Sequence, residues 1–162
     1  MISENIVKAL TRQINREIYS AYFYLGMASY AESKGFKGVS NWFKVQAREE
    51  LEHARKMYDY LNQQGARVMM QAIEEPPQDF LSVVELFVKT LEHEKKVTRL
   101  INDIVTLAKN ENDQDMVKFL QWFVKEQVEE EANPANILKN IDTKGSDKKG
   151  LSDIDAQLAK RR

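Results

Sequence analysis

The sequence contains no cysteine, and its 162 residues include only 6 glycines and 3 prolines. The lack of cysteine excludes disulfides, zinc ribbons, thiolate iron sites and cysteine nucleophiles. Any transition metal must therefore be held by carboxylate, amide or imidazole groups, which favours the harder ions. The length fits one domain, and a hydrophobic content of 43% is enough for a substantial core.

Long apolar runs and an excess of one charge are also missing. No stretch approaches 18 consecutive apolar residues, and the opening MISENIVKALTRQ lacks the residue order of a signal peptide. Lys and Arg number 24 against 25 Asp and Glu, and the longest basic tract is the short one at residues 160–162. We therefore expect a soluble, cytoplasmic protein that binds neither membranes nor nucleic acid.

The few glycines and prolines cluster where periodic apolar segments stop. They predict helices at residues 3–34, 40–64, 80–109 and 112–140, with a short fifth helix at about 150–160. The connection at residues 65–79 can span roughly 50 Å when extended, which exceeds the roughly 39 Å of a 26-residue helix. This length allows, but does not require, parallel second and third helices. We predict an all-α four-helix bundle with one long crossover, in one domain over 1–162 with its core bundle at 3–142.

Each of the four long helices has an apolar stripe that is interrupted by polar residues near its middle. Burying an unpaired carboxylate costs several kcal/mol, so these acids need positive charge inside the bundle. Few Lys or Arg fall on the stripes, which indicates a metal ion. The interrupting residues are Glu17 on the first helix, Glu50 and His53 on the second, Glu94 on the third, and Gln127 and Glu130 on the fourth.

The spacing of these residues repeats. Glu17 is followed after 33 positions by Glu50 and after three more by His53. The same spacing recurs 77 positions further along the chain, at Glu94, Gln127 and Glu130. Each predicted hairpin thus supplies one side chain from its first helix and an i, i+3 pair from its second, as in di-iron carboxylate bundles. Carboxylates can bridge two cations about 3.5 to 4 Å apart, and imidazole favours a transition metal over magnesium or calcium.

Around these residues the chain resembles the non-haem ferritins of bacteria and archaea. The resemblance rests on the segments SENIVKALTRQINREIYSAYFYLGMASY, GVSNWFKVQAREELEHARKMYDYLNQQGARV, AIEEPP and FLQWFVKEQVEEE. It implies a ferritin-like bundle, a hollow homo-oligomeric shell of 24 chains, and storage of iron inside it. It also implies a ferroxidase, which oxidises Fe(II) with dioxygen or peroxide at a di-iron site within each chain.

The resemblance also implies roles for individual residues. Glu17, Glu50 and His53 would hold the first iron, with Glu50 bridging to a second iron held by Glu94 and Glu130. Gln127 would lie beside the oxygen-binding position, and Tyr24 near the irons would supply an electron. The family's third iron site maps to Glu49, Glu126, Glu129 and Glu130. Without the resemblance, a hydrophilic surface would be an alternative to a third iron site as an explanation of Glu49, Glu126 and Glu129.

Leu51 separates the chain from the haem-containing relatives, and two other features depart from the non-haem pattern. Leu51 stands where haem-containing bacterioferritins carry the haem-ligating methionine, so no haem is expected. Pro134 should kink the fourth helix one turn past Glu130, because it removes a backbone hydrogen bond. Ser152 and Asp153 make the fifth helix more polar than is usual in the family, which bears on shell stability.

Other functions remain open on the sequence alone. A di-iron redox enzyme that acts on an organic substrate or peroxide, without storage, is the main alternative. A DNA-protecting mini-ferritin and a purely structural shell subunit are two more. The ligands would also accept Zn, Mn or Co, so the sequence does not define the metal. His93 lies on a different helical face from Glu94 and is expected to be structural or exposed, and Trp122 is expected mainly to pack.

Overall fold

The structure is a computed structural model and describes residues 2–162. Within that range every regular element is a helix, which confirms the predicted all-α class. The helices are α1 Glu4–Ser33, α2 Lys37–Gln63, α3 Val83–Asn110, α4 Gln114–Lys144 and α5 Lys148–Leu158. No helix in the described part of the chain is both long enough and apolar enough to cross a membrane.

The contacts between helices define the topology. Ser3 at the start of α1 bonds to Glu111 after α3, and Ser20 in the middle of α1 bonds to His93 of α3. These pairings make α1 antiparallel to α3. The short turn after α1 makes α2 antiparallel to α1, so α2 and α3 run parallel and the crossover between them confirms the predicted topology.

The connection between α2 and α3 lies along α1. Asn15 Nδ2 donates a hydrogen bond to the carbonyl oxygen of Ala72 at 3.0 Å, which attaches the connection to the first helix. Met69 and Met70 are 59% and 63% exposed, so the chain's own bundle leaves them uncovered. The two methionines therefore give the connection an apolar surface that the chain's own bundle does not bury.

Side-chain caps define four of the helix starts, and at α5 the Asp147 Oδ1 accepts from Gly150 N. The Ser3 Oγ accepts from Ile6 N at α1, and the Asp113 Oδ1 accepts from Met116 N at α4. At α3 the cap is Ser82, which accepts from Glu85 N while the Glu85 carboxylate accepts from Leu81 N. This reciprocal pair fixes the start of α3 at Val83, three residues later than predicted, because both orphan amides are satisfied there.

Two further predicted boundaries, the start of α2 and the end of α4, were also wrong. The second helix begins at Lys37 rather than Ser40, without a side-chain cap, and Ser40 is buried inside it. The fourth helix continues through Pro134 and ends at Lys144 rather than near residue 140, with Gly145 as its C-cap at φ 92°. A positive φ of this size suits glycine, which explains why the helix stops there.

The bundle core has two apolar clusters with a polar layer between them. One cluster is built around Tyr24, Phe43 and Phe87, and the other around Met57 and Leu120. The buried polar and charged side chains lie mainly between the two clusters, at the middle of the four long helices. The polar layer is therefore enclosed by apolar packing on both sides, which removes bulk water from the charged groups.

Candidate functional site: a buried carboxylate and imidazole cluster

The six polar residues predicted from the apolar stripes meet in the middle of the bundle. All six are buried, with exposed fractions of 4% or less. Each of the four long helices contributes either one polar residue or an i, i+3 pair. These residues lie on the inner stripes at the same level of the bundle. The residues are Glu17 from α1, Glu50 and His53 from α2, Glu94 from α3, and Gln127 and Glu130 from α4.

The ligand atoms form two sets that share one residue. Glu17, Glu50 and His53 make one set, and Glu50, Glu94 and Glu130 make the other, with all atoms of a set within 4.8 Å of one another. The His53 Nδ1 lies 3.4 Å from Glu50 Oε2 and 3.9 Å from Glu17 Oε2. This is the arrangement needed for two neighbouring cations bridged by Glu50.

Three glutamine amides orient the carboxylates. Gln13 Nε2 donates to Glu17 Oε1 at 2.7 Å. Gln46 Nε2 donates both to Glu50 Oε1 at 3.1 Å and to Glu130 Oε2 at 2.5 Å. The third, Gln127, donates to Glu94 Oε2 at 3.2 Å. Sequence reasoning missed both Gln13 and Gln46 as site residues. Both precede an acid by four residues on the same helical face, which is a usable signal.

The charge in the cluster is poorly compensated within the chain. Burial, and after it the Glu94 and Glu17 carboxylates, raises the pKa of Glu50 well above its ordinary value. Burial and then Glu130 likewise raise the pKa of Glu94, against hydrogen bonds from Tyr24 and Gln127. Burial raises the pKa of Glu130 to about 7. Protons therefore occupy part of the cluster near neutral pH unless a metal cation replaces them.

A buried oxygen without a partner also fits a metal. The Glu17 Oε2 is buried and has no hydrogen-bond partner among the described residues. Leaving such an oxygen unsatisfied is costly, so a group that binds it is expected. It belongs to the set with Glu50 and His53, and an oxygen-rich set with one imidazole suits ferrous iron as well as zinc or manganese.

Tyr24, His93 and Trp122 surround the cluster in different ways. The Tyr24 hydroxyl donates to Glu94 Oε1, and burial followed by Glu94 raises the Tyr24 pKa well above its ordinary value. His93 is hydrogen-bonded to Ser20 at 2.7 Å, and burial lowers its pKa to about 4, so it is a neutral packing residue as expected. Trp122 is 38% exposed and meets His53 edge-on at 5.5 Å between ring centroids.

The residues predicted for a third iron lie at the more exposed edge of the cluster, and the structure brings only some of them together. Glu126 and Glu130 group with His53, whose Nε2 lies 3.9 Å from each carboxylate. Glu49 is instead ion-paired with Arg161 at 2.5 Å, and Glu129 is exposed. Neither of the latter two joins a metal-sized grouping within residues 2–162.

Known proteins share both the sequence pattern and the fold. The ferritin-like domain family model matches residues 7–143. A probable bacterial non-heme ferritin-like protein of Haemophilus influenzae is 42% identical over 158 residues, covering 98% of this chain and 96% of that protein. A bacterial non-heme ferritin of Staphylococcus aureus is 35% identical over 161 residues, covering 99% and 97%.

Solved structures agree with these relatives. An open pore ferritin from the hyperthermophilic archaeon Archaeoglobus fulgidus has a TM-score of 0.98 at 49% identity, covering 100% of this chain and 99% of that one. A closed form of the same organism's ferritin, engineered by site-directed mutagenesis, also has a TM-score of 0.98, at 48% identity and with the same coverage. The bundle, the crossover and the match over nearly the whole length lead to one conclusion: the chain belongs to the ferritin family.

Proposed function

We propose that this ferritin subunit stores iron and oxidises it at the central cluster. Fe(II) is the substrate, dioxygen or peroxide the oxidant, and ferric mineral the cargo. The observation that carries the proposal is the pair of buried ligand sets that share Glu50. Two ferrous ions held side by side can each release one electron to the same oxidant molecule.

Each residue of the cluster has a part in this proposal. Glu50 bridges, Glu17 and His53 complete the first metal position, and Glu94 and Glu130 complete the second. The amides of Gln13 and Gln46 hold the carboxylates in place before iron arrives, so little reorganisation is needed.

Tyr24 and Gln127 both act through Glu94. Tyr24 donates a hydrogen bond to the Glu94 carboxylate, and in this proposal it supplies an electron during oxidation, as the resemblance implies. Gln127 also donates to Glu94, and we place it beside the oxidant as the resemblance implies. The two donors fix the orientation of a carboxylate that neighbouring acids repel.

Assembly into a homo-oligomer is part of the same proposal. The uncovered Met69 and Met70 give the crossover an apolar surface that neighbouring subunits can bury. We propose a shell of 24 chains, with two irons per chain in the cluster and a third at its exposed edge. Haem has no part in the proposal, because Leu51 occupies the position of the haem-ligating methionine.

The decisive experiment is aerobic loading with excess ferrous salt, followed by passage through a sizing column and iron analysis. We expect iron far above about two per chain, moving with a large particle. Retention of about two irons per chain on a small oligomer would instead favour a di-iron redox enzyme. Loss of all iron from an intact shell would contradict both functions.

A further inference from the structure

Arg161, in the segment that follows α5, reaches the edge of the carboxylate cluster. Its Nη2 donates to Glu49 Oε2 at 2.5 Å and to Gln46 Oε1 at 2.9 Å. Its guanidinium carbon lies 4.4 Å from the ring centroid of Trp42, and Nη1 donates to the Trp42 carbonyl oxygen at 3.3 Å. The side chain is only 18% exposed, so this cation is held by several contacts at once.

The backbone around Arg161 is fixed by the start of α2. Asn41 Nδ2 donates to the Arg161 carbonyl oxygen at 2.9 Å and to the Leu158 carbonyl oxygen at 3.3 Å. The Asp155 carboxylate accepts from Val39 N at 2.8 Å, which attaches α5 to the same turn of α2. The position of the guanidinium is therefore set by the fold and not by its contact with Glu49 alone.

Gln46 connects this cation to the two metal positions. Arg161 donates to the Gln46 oxygen, so the amide nitrogen of Gln46 faces Glu50 and Glu130. An amide has one acceptor end and one donor end, and the guanidinium, which has no acceptor, can satisfy only the acceptor end. Arg161 thereby favours the amide orientation in which Gln46 supports both carboxylates.

We propose that Arg161 is a tethered cation that competes with a metal ion for Glu49 at the exposed edge of the cluster. The inference rests on the proposed metal cluster and goes beyond it. A guanidinium stays protonated and has no lone pair for a metal, so the Glu49 oxygen that it holds, Oε2, becomes open to a metal only after Arg161 moves away. Arg161 would thus make the third metal position weaker than the central pair while keeping Gln46 oriented when that position is empty.

The test is a calorimetric titration of the assembled, iron-free protein with Zn²⁺, which is redox-inert. We expect two tightly bound ions per chain at the central pair and a more weakly bound class of ion at the exposed edge. We expect Arg161→Gln to tighten the weaker class roughly tenfold, because a competing cation is removed. Arg162→Gln, which changes a neighbouring exposed arginine, should leave every class unchanged.

A double-mutant comparison isolates Glu49. In a Glu49→Gln background the second change, Arg161→Gln, should no longer tighten the weaker class, because the shared ligand is gone. An unchanged weaker class in Arg161→Gln, with two tight ions still present, would overturn the inference and leave the central pair standing. Absence of the two tight ions in the unmodified protein would overturn the proposed function itself.

Hydrogen exchange gives a readout that a merely structural arginine would not move. When Zn²⁺ fills the weaker class in the unmodified protein, the amides of residues 155–162 should exchange faster, because Arg161 has left its contacts. In Arg161→Gln these amides should exchange at one rate with and without the weaker ions. If these amides of the unmodified protein exchange at the same rate whether or not the weaker class is filled, Arg161 does not compete with the metal ion.

Discussion

Glu50 is the side chain on which both metal positions depend, since it belongs to both ligand sets. It is 1% exposed, and its carboxylate is held by the Gln46 amide and faces the His53 imidazole. No other ligand can take over the bridging role of Glu50, because each of the others belongs to one of the two central sets. The loss of this one carboxylate should therefore affect both ions together.

The variant Glu50→Ala tests this dependence. We expect the initial rate of Fe(II) oxidation to fall by about a hundredfold or more, because two ions lose a common ligand. Glu52→Ala is the matched control, since Glu52 lies two residues further along α2, is exposed and is ion-paired with Arg55. Stopped-flow measurement of ferric product gives the rates. Oxidation by Glu50→Ala at the unmodified rate would refute the site.

Glu130 gives the cluster a measurable pH dependence. Burial raises its pKa to about 7, so the metal-free protein holds a proton there at pH 6 and has largely lost it at pH 8. A metal ion can bind the carboxylate only after that proton leaves. Zn²⁺ loading should therefore release more protons from Glu130 at pH 6 than at pH 8.

Proton release is counted by titration in a weakly buffered solution. Glu130→Gln, which has no titrating carboxyl at this position, should remove most of the difference in proton release between pH 6 and pH 8. Proton linkage also predicts how stability changes with pH. Because the folded pKa of Glu130 lies above the unfolded value, the metal-free protein should lose stability from this group as pH rises from about 4.5 to about 7. Equal proton release at both pH values would contradict the assignment.

The fifth helix, α5, packs closely against the start of α2. A Cβ added at Gly38 would lie 1.7 Å from the Asp155 carbonyl oxygen and 2.9 Å from the Ala159 amide nitrogen, both backbone atoms. Neither can move unless α5 moves as a whole. Gly38 thus permits the helix approach that carries Arg161 to the cluster, at the cost of some helix propensity in α2.

Two glycine substitutions separate packing from propensity. Gly38→Ala should lower the free energy of unfolding by about 1 to 3 kcal/mol, because α5 is displaced. Gly26→Ala, within α1, should be neutral or stabilise by up to about 1 kcal/mol, because its Cβ would meet only the Pro77 carbonyl oxygen, at 3.9 Å. Thermal unfolding of the two variants shows the difference, and equal midpoints would argue against tight packing of α5.

The helices and the central cluster could be predicted from sequence because both depend on periodicity. Glu17 and Glu94 interrupt apolar stripes at a regular spacing, and that spacing survives folding because a helix converts sequence distance into direction. Helix ends were less accurate, since the start of α3 depends on the reciprocal contacts of Ser82 and Glu85. The kink expected at Pro134 stays a prediction.

Arg161 could not be found in this way. Its contact with Glu49 joins residues that are 112 positions apart, through a segment with no periodic pattern. The proposed third site was mapped from resemblance alone, which gives identities of residues but not their partners. The structure identifies Arg161 as the partner of Glu49, and this ion pair distinguishes Glu49 from the buried acids. The extent of the domain, residues 1–162, also stays a prediction.

At the scale of the whole molecule, the exposed apolar side chains indicate where subunits meet. Tyr22 and Leu25 on α1 are 53% and 48% exposed and border a shallow cavity beside Pro76 of the crossover. Together with Met69 and Met70 they place apolar surface on one helix and on the segment that lies along it. Surface of this kind is commonly covered in an oligomer.

Leu25→Glu should therefore weaken assembly, because burying a carboxylate between subunits is costly. Light scattering after a sizing column should show a smaller main species than in the unmodified protein. Thr106→Glu is the control, as Thr106 is exposed on α3 and its hydroxyl donates to the Asn102 carbonyl oxygen of the same helix. Assembly of Leu25→Glu to the unmodified size would show that this face lies outside the subunit contacts.

The 77-residue offset between the two halves has a consequence for metal preference. It places His53 in one central ligand set and Glu130 at the corresponding position of the other, so of these two central sets one contains the imidazole nitrogen and the other only carboxylates. Nitrogen-preferring ions such as zinc should fill the histidine position first, and oxygen-preferring ions such as manganese the all-carboxylate position. The centre is thus chemically asymmetric, and a solution containing both metals should yield an ordered heterobimetallic pair.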